Sequence, residues 1–370
     1  MRRSMTCDRA STISVVSVLC CTRKRAALNF ARSRLSVNGM SAHKDLSSSR
    51  SASSAALIAS RDEAWLGRLR EVLRLEYGLT ITALSAAPRG YYAETWKATS
   101  GTNDYFVKLD TTDHQQRLRA SLPAIDHLWR HGIHFIPRVI HTIDGRLFTE
   151  FAAGTLAVFD WIPGHNVETD DTKYAEYDML AQVYAAPLGD DPIPRLEFGC
   201  DMADRFFAVW GTLDPGSPAD QELQAHRQII ELRAKRLEHL AKLCRGDESG
   251  IYVTHGDAGG NFMIDRAACY IVDWDEIMLA PPERDAWVMC TQPWARQVFD
   301  DALKRHGVAY TLKTERLAYF CYHMLFFYLT EVLSGFNKSD PAIEVRDLLE
   351  GWAKSRMEWA DAVDLDSIIN

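Results

Sequence analysis

The sequence predicts an α+β fold in two lobes, a small antiparallel-β N-lobe followed by a larger, mainly helical C-lobe. Three observations carry this. Short β-rich runs separated by Gly/Pro turn clusters dominate residues 79–161. Beyond Thr172, apolar residues recur at three-to-four spacing. One strand–loop–hairpin pattern, residues 251–274, interrupts that helical half. The expected division is a terminal extension over 1–60, the N-lobe over 61–160 and the C-lobe over 161–370.

Order is expected to begin at Arg61, where Trp65, Leu66, Leu69, Val72 and Leu73 recur at helical spacing until Tyr77-Gly78 stops the helix. Residues 79–86, 93–99 and 105–109 read as a meander, divided by Pro88-Arg89-Gly90 and Ser100-Gly101-Thr102-Asn103. Residues 114–131 suit a helix with Leu118, Leu122, Ile125 and Leu128 on one face, Pro123 requiring either a first-turn position or a kink. Strands follow at 146–150 and 156–161, and Pro163-Gly164 reads as a hinge. Helices are expected over 174–184, 201–210, 219–244, 312–334 and 343–360. The interruption reads as a strand at 251–253, a loop, then strands at 262–264 and 270–272 around a turn at 265–268.

Composition narrows the function. The chain has 370 residues, 47% hydrophobic and 25% charged, and a net charge of −8, which argues against a general nucleic-acid surface and suits a cationic substrate. Eight cysteines without a C-x-x-C pair fit free thiols in a reducing, cytoplasmic setting. The most apolar stretch, residues 317–333, is broken by His323 and Glu331, so no membrane span is expected. Residues 1–44 hold nine Lys/Arg against the single acid Asp8 and run into a Ser/Ala-rich segment. Disorder is expected there, as an upstream extension with Met40 as the working start, or else as a targeting peptide.

The chemistry concentrates in His255-Gly256-Asp257-Ala258-Gly259-Gly260-Asn261 and in Asp273, at the end of the following hairpin. A lone H-x-D is commonly just a turn with a hydrogen-bonded imidazole. Asn261 four residues after Asp257, an apolar hairpin and a terminal Asp make a different pattern, that of phosphoryl transfer. This reaction asks a protein for a carboxylate at the attacking hydroxyl, oxygen ligands for Mg²⁺ and a cation on the nucleotide phosphates. Asp257 suits the first role, and Asn261 and Asp273 the second. Lys108, ending the run Tyr105-Phe106-Val107-Lys108, suits the third, although a strand-end lysine can be a solvated edge charge. Backbone groups of Val158-Phe159-Asp160 are placed to meet adenine.

At these residues the chain resembles the aminoglycoside phosphotransferase family of kinase-like enzymes, whose loop reads H-x-D, up to four residues, then N, followed by a short hairpin and an Asp. The resemblance covers residues 61–370, and the run IVDWDEIMLAPPERD, residues 271–285, is most similar to the spectinomycin branch. It implies a protein-kinase-like fold, ATP and Mg²⁺, Asp257 as base, Asn261 and Asp273 as metal ligands, Lys108 on phosphate, and His255 and Asp285 as supports of the loop. Arg89-Gly90 would form the phosphate-covering turn, with one glycine where protein kinases have three. Related kinases pair the lysine with a Glu, yet none occurs between Glu94 and Glu150, leaving Asp113, Asp126 or Asp273.

Asp275, Glu276 and Glu331 could form an acidic patch for an amine-bearing substrate or be plain solvated carboxylates, and Asp285 could equally cap a helix. Trp129, Trp161, Trp287 and Trp294 read as core or hinge packing. The expected activity is γ-phosphoryl transfer from MgATP to a hydroxyl of a small cationic acceptor, an aminoglycoside or aminocyclitol such as spectinomycin, by a monomer or homodimer. Alternatives are a choline, homoserine, fructosamine or macrolide kinase, a nucleotide-binding pseudokinase, and a metal-dependent hydrolase with His255 and Asp257 as ligands.

Overall fold

Asp62 starts the first helix, α1 (Glu63–Tyr77), because its carboxylate accepts a hydrogen bond from the Trp65 N–H at 2.7 Å, and Gly78 ends it in the left-handed conformation at φ 68°. The computed structural model describes residues 61–87, 93–112, 114–189, 192–266, 268–335 and 340–364. The expectations for residues 1–60, Arg89, Gly90 and Asp113 lie outside the described residues, and those described fall within one unit, Asp45–Asn370.

The buried face of α1, Trp65, Leu69, Leu73 and Tyr77, covers a five-stranded antiparallel sheet. Its strands are β1 (Ala83–Ala86), β2 (Glu94–Ser100), β3 (Asn103–Asp110), β4 (Thr149–Phe151) and β5 (Gly154–Asp160), in the order β1-β2-β3-β5-β4. Trp96, Val107, Leu109, Leu156 and Val158 complete this core, with Trp65 and Trp96 ring centres 5.4 Å apart. Leu69 and Leu73 are fully buried, each contributing about 2 kcal/mol. Helix α2 (Gln115–Arg130) carries Pro123 in its interior rather than its first turn, which removes one donor from the helical ladder.

The rest is mainly helical. In chain order it comprises β6 (His165–Asn166), α3 (Lys173–Ala185), α4 (Asp201–Trp210), α5 (Pro218–Ala225), α6 (Arg227–Arg245), β7 (Tyr252–Thr254), β8 (Phe262–Asp265), β9 (Ala268–Ile271), β10 (Met278–Ala280), α7 (Glu283–Ala286), α8 (Pro293–Arg305), α9 (Thr314–Leu333), α10 (Pro341–Arg346) and α11 (Lys354–Asp361). Helix α9 is its centre, packing on α4, α6 and α11 and burying Leu317, Phe320, Leu325, Phe326 and Leu329. No helix among the described residues is long and apolar enough to cross a membrane.

Several boundaries depart from the sequence reading. The helix expected over 219–244 is broken at His226, with φ −107°, into α5 and α6. That expected over 343–360 is α10, a π turn at Asp347–Gly351, and α11. Apolar periodicity continues through both breaks, so it could not reveal them. Helix α8 and strand β10 were not anticipated.

Candidate active site

Strand β7, paired antiparallel with β10, delivers the loop that opens at His255. Gly256 adopts φ +90°, and a Cβ there would fall inside the Arg284 guanidinium, so glycine serves both the turn and the close approach. The Arg284 side chain donates to Thr254 Oγ1 at 3.1 Å and to the Glu276 carbonyl at 2.8 Å. Asp285 anchors the loop from behind. Its carboxylate accepts from the His255 N–H at 3.1 Å, the Gly256 N–H at 2.5 Å and the Tyr184 hydroxyl at 2.8 Å.

His255 is fully buried, and burial lowers its pKa despite the neighbouring Asp285 charge. Its Nε2 lies 3.0 Å from the Val272 carbonyl and its Nδ1 receives the Asp257 N–H at 3.1 Å. That pattern requires a neutral ring with Nε2 protonated, and it leaves no nitrogen for a metal, which removes the hydrolase alternative. The Asn261 amide nitrogen donates to the Asp257 carbonyl at 2.7 Å and to Asp257 Oδ2 at 3.2 Å. Asp257 and Asn261 are therefore held side by side.

The β8–β9 hairpin pairs Phe262 with Ile271 and Asp265 with Ala268, and the Val272 N–H bonds the Asn261 carbonyl at 3.0 Å. Val272 thus ties the hairpin exit to the loop through Asn261 and His255 together. Asp273 follows at φ 65°, ψ 60°, a left-handed conformation that Asp tolerates better than most residues. The buried Trp274 stacks its edge against His255, with ring centres 4.5 Å apart.

Lys108 comes from the other side of the site. It lies on β3, between Thr95 of β2 and Ala157 of β5, and its Nζ meets Asp273 Oδ1 at 2.8 Å and Asp275 Oδ2 at 2.5 Å. Burial acts to lower its pKa, but the two carboxylates outweigh that and hold the ammonium charged. Burial raises the Asp275 carboxyl above its ordinary range, with Lys108 opposing. The missing Glu is accordingly replaced by Asp273 and Asp275, while Asp126 is engaged by His141 at 2.9 Å and Arg130 at 2.8 Å.

Other expected residues have different surroundings. The Val158 carbonyl accepts from Ile140 N–H and the Asp160 N–H donates to the Arg138 carbonyl, so both of these backbone groups are already used; the Asp160 carboxylate also pairs with Arg138 at 2.9 Å. Asp275 faces Lys108 rather than an open patch, and Glu276 pairs with Arg117 of α2 at 2.5 Å. Glu331 is buried in the last turns of α9, away in sequence from the loop and hairpin. Arg284 and Tyr184 were missed; the only signal for Arg284 was its place in the run ending Pro281-Pro282-Glu283-Arg284-Asp285. Among the described residues no three His, Cys, Asp or Glu side chains form a group able to hold a metal ion. Asn261 and Asp273 carry side-chain oxygens of the kind that would hold Mg²⁺ where phosphates and water complete the shell.

The profile of the phosphotransferase enzyme family matches residues 83–320, a span that includes Lys108, the loop, the hairpin and Asp285. The chain belongs to that family. No curated protein sequence matches this phosphotransferase. Among solved structures it is similar to a spectinomycin phosphotransferase bound to ADP and spectinomycin, with TM-score 0.66 and 19% identity over 80% of this chain and 97% of that one. It is also similar to choline kinase from Streptococcus pneumoniae, with TM-score 0.55, 11% identity and 79% and 99% of the two chains covered. An aminoglycoside phosphotransferase from Alicyclobacillus acidocaldarius gives 0.52, 13%, 82% and 95%. These likenesses show a kinase-like fold, and the family match makes the chain a phosphotransferase.

Proposed function

We propose that this phosphotransferase moves the γ-phosphoryl group of MgATP to a hydroxyl of a small cationic acceptor, an aminoglycoside or aminocyclitol, with spectinomycin the first candidate. The observation that carries the reading is that Lys108 of β3 meets Asp273 at 2.8 Å, beside a loop in which Asn261 meets Asp257 at 3.2 Å. A carboxylate base and two oxygen ligands thereby share the short stretch 257–273, which the cation of Lys108 reaches from β3.

In this reading Asp257 orients the acceptor hydroxyl and takes its proton as the new P–O bond forms and the bond to the ADP oxygen breaks. Lys108 holds the α- and β-phosphates, and Asn261 and Asp273 offer oxygens to Mg²⁺. Bound there, Mg²⁺ supplies charge neutralisation on the β- and γ-phosphates. Residues 61–160 bind the nucleotide, and residues 161–370 carry the catalytic loop and the acceptor-binding helices. The protein works in the cytoplasm, as a monomer or homodimer.

The relatives named above include a choline kinase, so the acceptor is decided by assay. ADP release is measured over aminoglycosides, spectinomycin, choline, ethanolamine and homoserine, with Asp257→Ala as control. Release stimulated by spectinomycin or an aminoglycoside and lost in the control supports the reading; stimulation by choline alone moves the acceptor class. ATP binding without any stimulated release would leave a pseudokinase.

A further inference from the structure

Between Asp257 and Asn261 stand Ala258, Gly259 and Gly260, in a short 3-10 turn closed by the Asn261 N–H on the Ala258 carbonyl at 3.0 Å. Beside the hydrogen bonds to Asp285, Val272 and Asp257 already described, it is supported by the segment after β5. Asn166 Nδ2 donates to the Gly260 carbonyl at 2.5 Å, Val167 N–H to the Phe262 carbonyl at 3.1 Å, and β6 pairs along β8. The same segment leads to Lys173, at the start of α3 and 2% exposed. A Cβ built on Gly259 would lie 3.3 Å from Lys173 Nζ and 3.4 Å from Glu168 Oε1. Lys173 is paired with the equally buried Glu176 at 2.7 Å, while Glu168 stands at 3.8 Å, beyond hydrogen-bond length.

We infer that Lys173 is a positioning residue of the catalytic loop: its ammonium, held by Glu176, backs Gly259 and fixes the spacing of Asp257 and Asn261 on either side. Burying two charges is expensive, and an apolar pair of the same size would pack at least as stably. The place of this ion pair, where a Cβ on Gly259 would come within 3.3 Å of the ammonium, gives it a use beyond packing. Its near-complete burial excludes direct contact with substrate. The inference rests on the functional reading above.

Lys173→Met alone would strand Glu176, so the test is Lys173→Met/Glu176→Met, beside Lys173→Arg. The double variant should melt close to the parent. Its loop amides, residues 258–262, should exchange about tenfold faster without ligand, and kcat should fall about 10–100-fold with KM for ATP changed far less, as for residues that orient a metal ligand. Lys173→Arg should recover part of kcat. Parental kcat and loop exchange in the double variant would overturn the inference and leave a packing pair. If the parent turns over no acceptor, the functional reading fails instead, and loop exchange still decides the role of Lys173.

Discussion

Lys108 and Asp273, 165 residues apart in sequence, meet at 2.8 Å, and this ion pair joins the β3 strand to the exit of the β8–β9 hairpin. Asp275 closes on the same ammonium, so two carboxylates share one lysine. In the proposed reaction, nucleotide phosphates would compete with both carboxylates for Lys108.

Lys108→Met removes the cation and leaves Asp273 and Asp275 facing each other. Nucleotide affinity and kcat/KM should each fall, kcat/KM by about 10²–10³-fold, the scale of losing one aligned charge donor. Titration calorimetry with MgADP and steady-state kinetics measure the two effects.

Asp257→Asn keeps the hydrogen bond to Asn261 within reach but removes the base. Turnover should drop about 10²–10⁴-fold with the melting temperature and MgADP affinity nearly unchanged. A variant that retains parental turnover would exclude Asp257 as the base.

Asp285→Ala withdraws the acceptor of two loop N–H groups and of the Tyr184 hydroxyl, all buried or nearly so. The cost should be about 3 kcal/mol, because unsatisfied donors remain, whereas Tyr184→Phe should cost about 1 kcal/mol. Urea unfolding distinguishes these values, and kcat should fall more in Asp285→Ala than in Tyr184→Phe.

Gly256→Ala places a side chain at φ +90° and displaces Arg284. A loss of about 2 kcal/mol from backbone conformation alone is expected, with activity falling further because the loop must shift. Thermal denaturation and kinetics on the same preparation report both.

Glu283 is fully buried, accepting from the Tyr310 hydroxyl at 2.9 Å and the Lys313 N–H, and burial raises its pKa from 4.5 to about 7. Its folded pKa exceeds its unfolded one, so its contribution is complete below pH 4.5 and is lost as pH rises toward 7. Relative to the parent, Glu283→Gln should gain stability across that window by about 3 kcal/mol and stay level above it. Equal pH dependence of the two proteins would show that Glu283 does not titrate this way.

Local spacing made the candidate catalytic loop legible: His255, Asp257 and Asn261 lie within seven residues, and the apolar runs around residues 265–268 announce the hairpin that carries Asp273. Tyr77-Gly78 likewise showed where α1 ends. The breaks at His226 and at 347–351 were hidden because the hydrophobic pattern continues across them. Pairing was less legible still. Nothing in residues 251–253 says that their partner is β10 rather than the hairpin, since a three-residue strand fits either edge. The engagement of Val158 and Asp160 by residues 138–140 was equally invisible, because that segment has no strand pattern of its own.

The sequence alone determined the family, the two-part α+β architecture and the identity of the loop, because each is written in residues that are neighbours along the chain. Tertiary structure alone decided which carboxylates hold Lys108, that Asp126 is engaged elsewhere, that Arg284 fills the space at Gly256 and that Lys173 lies against Gly259. Those contacts depend on strand register and helix packing between distant segments. A change of one residue in register reverses the side a residue faces, and no local pattern encodes the outcome.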